Sequence, residues 1–271
     1  MKKPYQASAK SRTDGSRAAR RTEERLCLFG IRGLPEIRKG QDLAKSVVAA
    51  ARKVGLRFEE GDVLVVAQKI VSKAEGSVVS LAAVHPSEQA QALGAQLRKD
   101  PRAVELVLQE SRRILRSERV LITETRHGFV CANAGIDHSN VPGEDSVTLL
   151  PRDPDGSAER LAEGLRKRTG KHIGVIISDT FGRPWRLGLT DVAIGAAGLP
   201  VLLDLRGTRD REGKLLMATV VAVADQLAAA AGLLMGKSEG VPAVLVRGYR
   251  YKRTSEKAAR ILRPASEDLF R

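Results

Sequence analysis

Apolar positions along the chain recur at two spacings, and their alternation predicts an order of elements. Between residues 41 and 55 they fall at 43, 44, 47, 48, 51 and 54, one face of a helix that Gly55 ends. Residues 62–67 (DVLVVA) form a short unbroken apolar run, the pattern of a strand buried on both sides. Residues 86–97 and 104–114 predict two helices parted by Lys99-Asp100-Pro101. Short strands follow at 120–123 and 128–131, joined through a turn at Arg126-His127-Gly128. Asp153-Pro154-Asp155 signals a helix start ahead of residues 157–168. The run at 173–178 (IGVIIS) repeats the buried-strand pattern. A strand at 201–205, an alanine-rich helix at 219–235 and a last strand at 243–246 complete the order. No repeat or low-complexity linker divides this part, so the pattern predicts one mixed α and β domain with two joined halves.

Composition narrows the classes. Hydrophobic residues at 42% and charged residues at 29% are ordinary globular usage. No apolar run approaches the ~18–20 residues that span a bilayer, so a membrane partner is not expected. Cys27 and Cys131 lie far apart, and neither belongs to a CxxC or Cys/His cluster. That argues against a disulfide scaffold and a structural zinc, and points to a cytoplasmic setting. Lys and Arg (46) outnumber Asp and Glu (32), giving a net charge of +14 that favours anionic partners. Residues 1–25 hold eight Lys/Arg against three Asp/Glu and lack an apolar period. They read as a basic disordered tail before a folded part at 26–271. With aromatic residues at 3%, a stacking platform for single-stranded nucleic acid is not favoured.

Candidate chemistry concentrates where the strands end. Residues 68–76 (QKIVSKAEG) directly follow the run at 62–67 and suit the holding of an anion, with a lysine such as Lys73 as a point charge on phosphate and nearby backbone N–H groups as further donors; the alternative is a solvated turn with two surface lysines. Asn133-Ala134-Gly135-Ile136-Asp137-His138-Ser139-Asn140 gathers a carboxylate, an imidazole, hydroxyl and amides. Asp137 suits Mg²⁺ or Mn²⁺, which take one or two carboxylates plus substrate phosphates. Asp179 comes straight off the run at 173–178, Thr180 adds a hydroxyl to a metal shell, and Arg183 and Arg186 flank Trp185 with forked donors for phosphate or carboxylate. Lys73, Arg183 and Arg186 are thus the candidate catalytic cations. Gly232-Leu233-Leu234-Met235-Gly236-Lys237-Ser238 imitates a P-loop but fails it: the first glycine should stand at 231, which is Ala231, and a helix precedes it where a strand is required.

These segments together resemble the coenzyme F420-0:L-glutamate ligase family. The resemblance is carried by Gly33-Leu34-Pro35-Glu36, QKIVSKAEG at 68–76, ANAGIDHSNV at 132–141, ISDTFGRPWRLG at 177–188, AIGAAG at 193–198 and MGKSEGVP at 235–242, in the family's order. It implies an α+β fold of two intimately joined subdomains, seen in the family as an intertwined homodimer. It implies joining of L-glutamate to the carboxylate of F420-0 through an acyl phosphate, with GTP converted to GDP and phosphate. Mg²⁺ or Mn²⁺ is the implied cofactor, with K⁺ as a further cation. By the same resemblance Asp137, Asp179 and Thr180 hold the metal. GTP falls to Gly33, Leu34, Pro35, Glu36, Gln68, Lys69, Lys73 and Asn140, and to Met235, Gly236, Lys237, Ser238, Glu239 and Gly240. Where some relatives place a glutamine metal ligand after the long helix, this chain has Lys237. An ammonium cannot ligate a cation, so either that ligand is lost or the charge meets phosphate. Two other readings compete: an amide ligase using another carboxylate or amine, and a non-catalytic basic protein that binds nucleotide or nucleic acid.

Overall fold

The computed structural model describes residues 24–268, apart from 140–142, 144 and 237–238. The basic tail therefore lies almost wholly outside the described residues. In chain order the first elements are β1 (Cys27–Gly30), α1 (Leu43–Lys53), β2 (Val63–Ala67), α2 (Gln68–Glu75), β3 (Val78–Ser80), α3 (Glu88–Leu97) and α4 (Pro101–Gln109). There follow β4 (Ser111–Arg116), β5 (Ile122–Thr125), β6 (Val130–Ala132), β7 (Ser146–Thr148) and α5 (Pro154–Thr169). The chain continues through β8 (Gly174–Arg183), β9 (Arg186–Ala197), β10 (Leu203–Asp204), β11 (Val220–Val221), α6 (Val223–Met235) and β12 (Ala243–Arg247).

Five strands build the central sheet in the order β1-β12-β2-β8-β9. β2 and β8 run parallel, and the other neighbours are antiparallel. Parallel neighbours need a long crossover. Here it is the whole stretch from α2 to α5, which carries the β3–β7 pair, the β4-β5-β6 sheet, α3 and α4.

Alternate side chains of the central strands enter two cores. Leu64, Val66, Val175, Ile177 and Leu245 pack with Val47 and Val48 of α1, Ile70 and Val71 of α2, and Leu161 and Leu165 of α5. Val63, Val65, Ile176, Val244 and Val246 face the other way, onto Leu227, Ala228, Ala231 and Met235 of α6. A sheet covered on both faces explains why its strands read as continuous apolar runs. The crossover has smaller apolar clusters of its own, around Val104 and Val107 and around Leu106 and Val147. The architecture is α+β. No helix among the described residues is long and apolar enough to cross a membrane.

Five sequence expectations shift. Residues 68–75 form a helix and not a turn. The helix expected at 104–114 begins at Pro101, because Asp100 caps it by accepting the Arg102 amide at 2.8 Å, and ends at Gln109, where β4 starts. The strand at 201–205 shrinks to β10, which pairs with β11 in a two-stranded sheet, and the helix at 219–235 gives up its first residues to that same pairing. The segment after 178 does not leave the sheet: β8 runs on to Arg183 and folds back as β9.

Candidate functional site

The register of the sheet gathers the chemistry. Ala67 and Ser178 are opposed at the carboxyl ends of the parallel pair, so Gln68 and Asp179 emerge side by side. β1 ends at the same edge and leads into Leu34-Pro35-Glu36, and β12 enters there, its preceding Pro242 carbonyl accepting the Ala67 amide at 2.9 Å. Ligands of α/β sheets sit at such carboxyl ends, where loops diverge from a rigid edge. A cleft of about 590 Å³ opens there, closed on one side by Thr190 and Asp191 of β9 and by Gly232, Met235 and Gly236 at the end of α6.

One wall is cationic. α2 starts directly off β2 with Ala67 at its N-cap, which has no side-chain oxygen to accept the first amides, so these donors are left for an anion. Gln68 is 1% exposed; its Oε1 accepts the Ser72 hydroxyl at 2.8 Å, while its Nε2 has no partner among the described residues. A buried donor left unpaired costs about 1–3 kcal/mol, which a ligand oxygen would relieve. Lys69 and Lys73 lie one turn apart on this helix. Lys73 is buried and pairs with Glu36 at 2.5 Å, and Lys69 meets Asp137 at 2.8 Å and the Ser139 hydroxyl.

The facing wall is acidic. Asp137 is fixed by its backbone, which bridges Thr148, and its Oδ1 accepts the Ser139 amide at 2.7 Å. Burial raises the energy of its charge, but Lys69 and Ser139 outweigh that and hold the carboxyl below the usual carboxylate range. Thr180 donates its hydroxyl to Asp191 Oδ1 at 2.6 Å across the β8–β9 pair. Burial, with the neighbouring Asp179 charge, pushes the Cys131 thiol up to about 12, so it stays protonated and is no nucleophile at neutral pH. Among the described residues no three His, Cys, Asp or Glu side chains cage a metal. The oxygen donors that do line the cleft suit Mg²⁺ or Mn²⁺ with remaining ligands drawn from phosphate and water.

Of the residues expected from sequence, Leu34, Pro35, Glu36, Gln68, Lys69, Lys73, Asp137, Asp179, Thr180, Met235, Gly236 and Gly240 line this one cleft. Gly33 and Glu239 flank it without lining it. Arg183 and Arg186 sit exposed at the β8–β9 tip, outside the lining, where Arg183 donates to the Leu187 carbonyl at 2.5 Å. Asn140, Lys237 and Ser238 lie outside the described residues. Sequence reasoning missed Ser178, Thr190, Asp191 and Gly232. The signal for the first lay in the run at 173–178, and that for Thr190 and Asp191 in the fold-back of a strand whose turn it left unplaced.

The profile of the F420-0:Gamma-glutamyl ligase family matches residues 30–248. The chain belongs to this family. A coenzyme F420:L-glutamate ligase of Methanothermobacter thermautotrophicus is 48% identical over 250 residues, 91% of this chain and 99% of the relative. Ligases of the same description from Methanopyrus kandleri, 48% identical over 87% of this chain and 94% of the relative, and Archaeoglobus fulgidus, 43% over 91% and 97%, are similar along their length. As a member of the F420-0 ligase family, the chain places both the sheet edge and the crossover loop at Asp137 within the matched stretch.

Proposed function

We propose that the protein joins L-glutamate to the carboxylate of coenzyme F420-0 and couples the amide bond to cleavage of GTP into GDP and phosphate. The observation that carries this reading is the two-sided charge of the cleft: lysines and open helix amides on one wall, carboxylates on the other. A polyanion needs the first and a divalent cation the second. The names of the relatives supply the acceptor and the amine.

A carboxylate is a poor electrophile, so its oxygen first attacks the γ-phosphorus and GDP departs, leaving an acyl phosphate. The glutamate amine then attacks the acyl carbon, the carbon–oxygen bond breaks, phosphate leaves and the nitrogen loses a proton. Gln68 Nε2 and the first α2 amides bind phosphate oxygens, and Lys73 exchanges Glu36 for phosphate. A divalent cation held by Asp137 and Asp179 would offset phosphate charge. Holding the reactants in line accounts for up to ~7–11 kcal/mol of barrier lowering, with no protein nucleophile required. Arg183 and Arg186 have no part in this scheme. The working unit we propose is a homodimer, supported by the exposed apolar side chains of Trp185, Leu187 and Leu189 at the turn and the start of β9.

The test is incubation with F420-0, L-glutamate, GTP and Mg²⁺ or Mn²⁺, followed by mass measurement. The product gains a glutamyl unit, and phosphate appears only when all components are present. Asp179→Ala abolishes ligation while its circular dichroism stays that of the wild type. Phosphate release without the acceptor, or wild-type turnover in Asp179→Ala, overturns the reading.

A further inference from the structure

We infer that Lys69 is the built-in counter-ion of the cation seat at Asp137, holding the carboxylate oxygen that a divalent cation takes and releasing it when a polyphosphate draws the ammonium away. The inference rests on the metal-nucleotide reading of the cleft. Lys69 Nζ lies 2.8 Å from Asp137 Oδ2 and also meets the Ser139 hydroxyl, while the Ser139 amide occupies Oδ1. Both carboxylate oxygens are therefore engaged. A divalent cation of the Mg²⁺ kind sits about 2.1 Å from a ligating oxygen, so one taken up at Oδ2 would stand within a few ångström of the ammonium, and the two positive charges oppose each other there.

The pair on the next turn shows which partner moves. Lys73 is bound by Glu36, whose side chain is 58% exposed and free to turn into water when phosphate arrives. Asp137 is held more firmly: its backbone is bonded to Thr148 at 3.1 and 2.9 Å, and the Ser139 amide holds its Oδ1 at 2.7 Å. At that clasp the flexible four-carbon stem of Lys69 makes the exchange, from carboxylate to phosphate. Cation and nucleotide then favour one another beyond their direct contact, since each binds better with Lys69 drawn away from Asp137. Such coupling is reciprocal.

The experiment measures Mn²⁺ binding to the full chain by the electron paramagnetic resonance of free Mn²⁺, with and without a non-hydrolysable GTP analogue. Without nucleotide, Lys69→Met binds Mn²⁺ tighter than wild type by about five- to a hundredfold, the range of ordinary coupling between sites. Lys69→Arg keeps the weak wild-type binding, and the double variant Lys69→Met with Asp137→Asn loses the gain. With the analogue, wild type and Lys69→Met differ far less. Unchanged or weaker Mn²⁺ binding in Lys69→Met overturns the inference while leaving the ligase reading intact. An equal gain from Lys73→Met, which removes a charge that does not touch Asp137, overturns it too. Absence of Mn²⁺ binding in every protein, with or without analogue, overturns the metal reading and this inference together.

Discussion

Gly232 lies inside α6, where alanine would ordinarily add about 0.8–1.0 kcal/mol. A Cβ at this position would stand 2.4 Å from Asp191 Oδ2, so the carboxylate must leave its bond with Thr180. That bond is worth about 0.5–1.5 kcal/mol, so the two effects cancel and Gly232→Ala unfolds at nearly the wild-type temperature. Its turnover falls by about tenfold or more, a barrier increase of roughly 1.4 kcal/mol, because an oriented carboxylate of the cleft has been displaced. Thermal unfolding beside product formation checks this; full activity would show that Asp191 has no stake in the site. Asp179 was legible in the sequence because an apolar run delivers it. Asp191 was not, because the fold-back turns at Trp185, which takes a φ of 55° where a turn signal would put glycine.

At the scale of elements, α2 shows why a helix over a site is hard to read. Its buried side includes Gln68, Ser72 and Lys73 along with Ile70 and Val71, so the inward face does not register as apolar. Only Gly76, left-handed at φ 77°, carried a legible stop. α5 was easier: Asp153 and Pro154 mark its start, and Asp153 accepts the Gly156 amide at 3.0 Å. The next residue, Asp155, does something no pattern announces. Its buried carboxylate accepts the Ala196 amide at 2.9 Å and the Ala258 amide at 2.7 Å, tying α5 to the end of β9 and to the C-terminal segment. Asp155→Ala strands both donors, at about 1–3 kcal/mol each, and lowers stability by roughly 2–6 kcal/mol. Denaturant unfolding reads this as an earlier midpoint with an unchanged slope. An unshifted midpoint would mean that water replaces the carboxylate at no cost.

At the scale of the molecule, the alternation of strands and helices was legible but the sheet order was not, since bringing 30, 67 and 178 to one edge depends on a crossover of about a hundred residues whose pairing is non-local. The same order leaves β9 at an edge, with its start and the end of β8 forming a two-stranded arm. Leu187 and Leu189 of β9 alternate at the strand period of two, exposed by 97% and 65%, and Trp185 in the turn before them is 79% exposed. A lone exposed leucine needs no explanation, but a stripe on a two-stranded ribbon does, because such ribbons are marginal in water without a covering surface. Leu189 shares the cleft rim with Leu233, itself largely exposed, so the uncovered apolar surface continues from the arm onto α6. A second copy of the chain is the occupant this reading assigns to it. Sedimentation should then give the mass of a dimer for wild type and of a monomer for the double variant Trp185→Ser with Leu187→Ser, whose substitutions lie outside the cleft lining and both cores. A monomeric wild type, or a double variant that still sediments as a dimer, would remove the arm from the assembly.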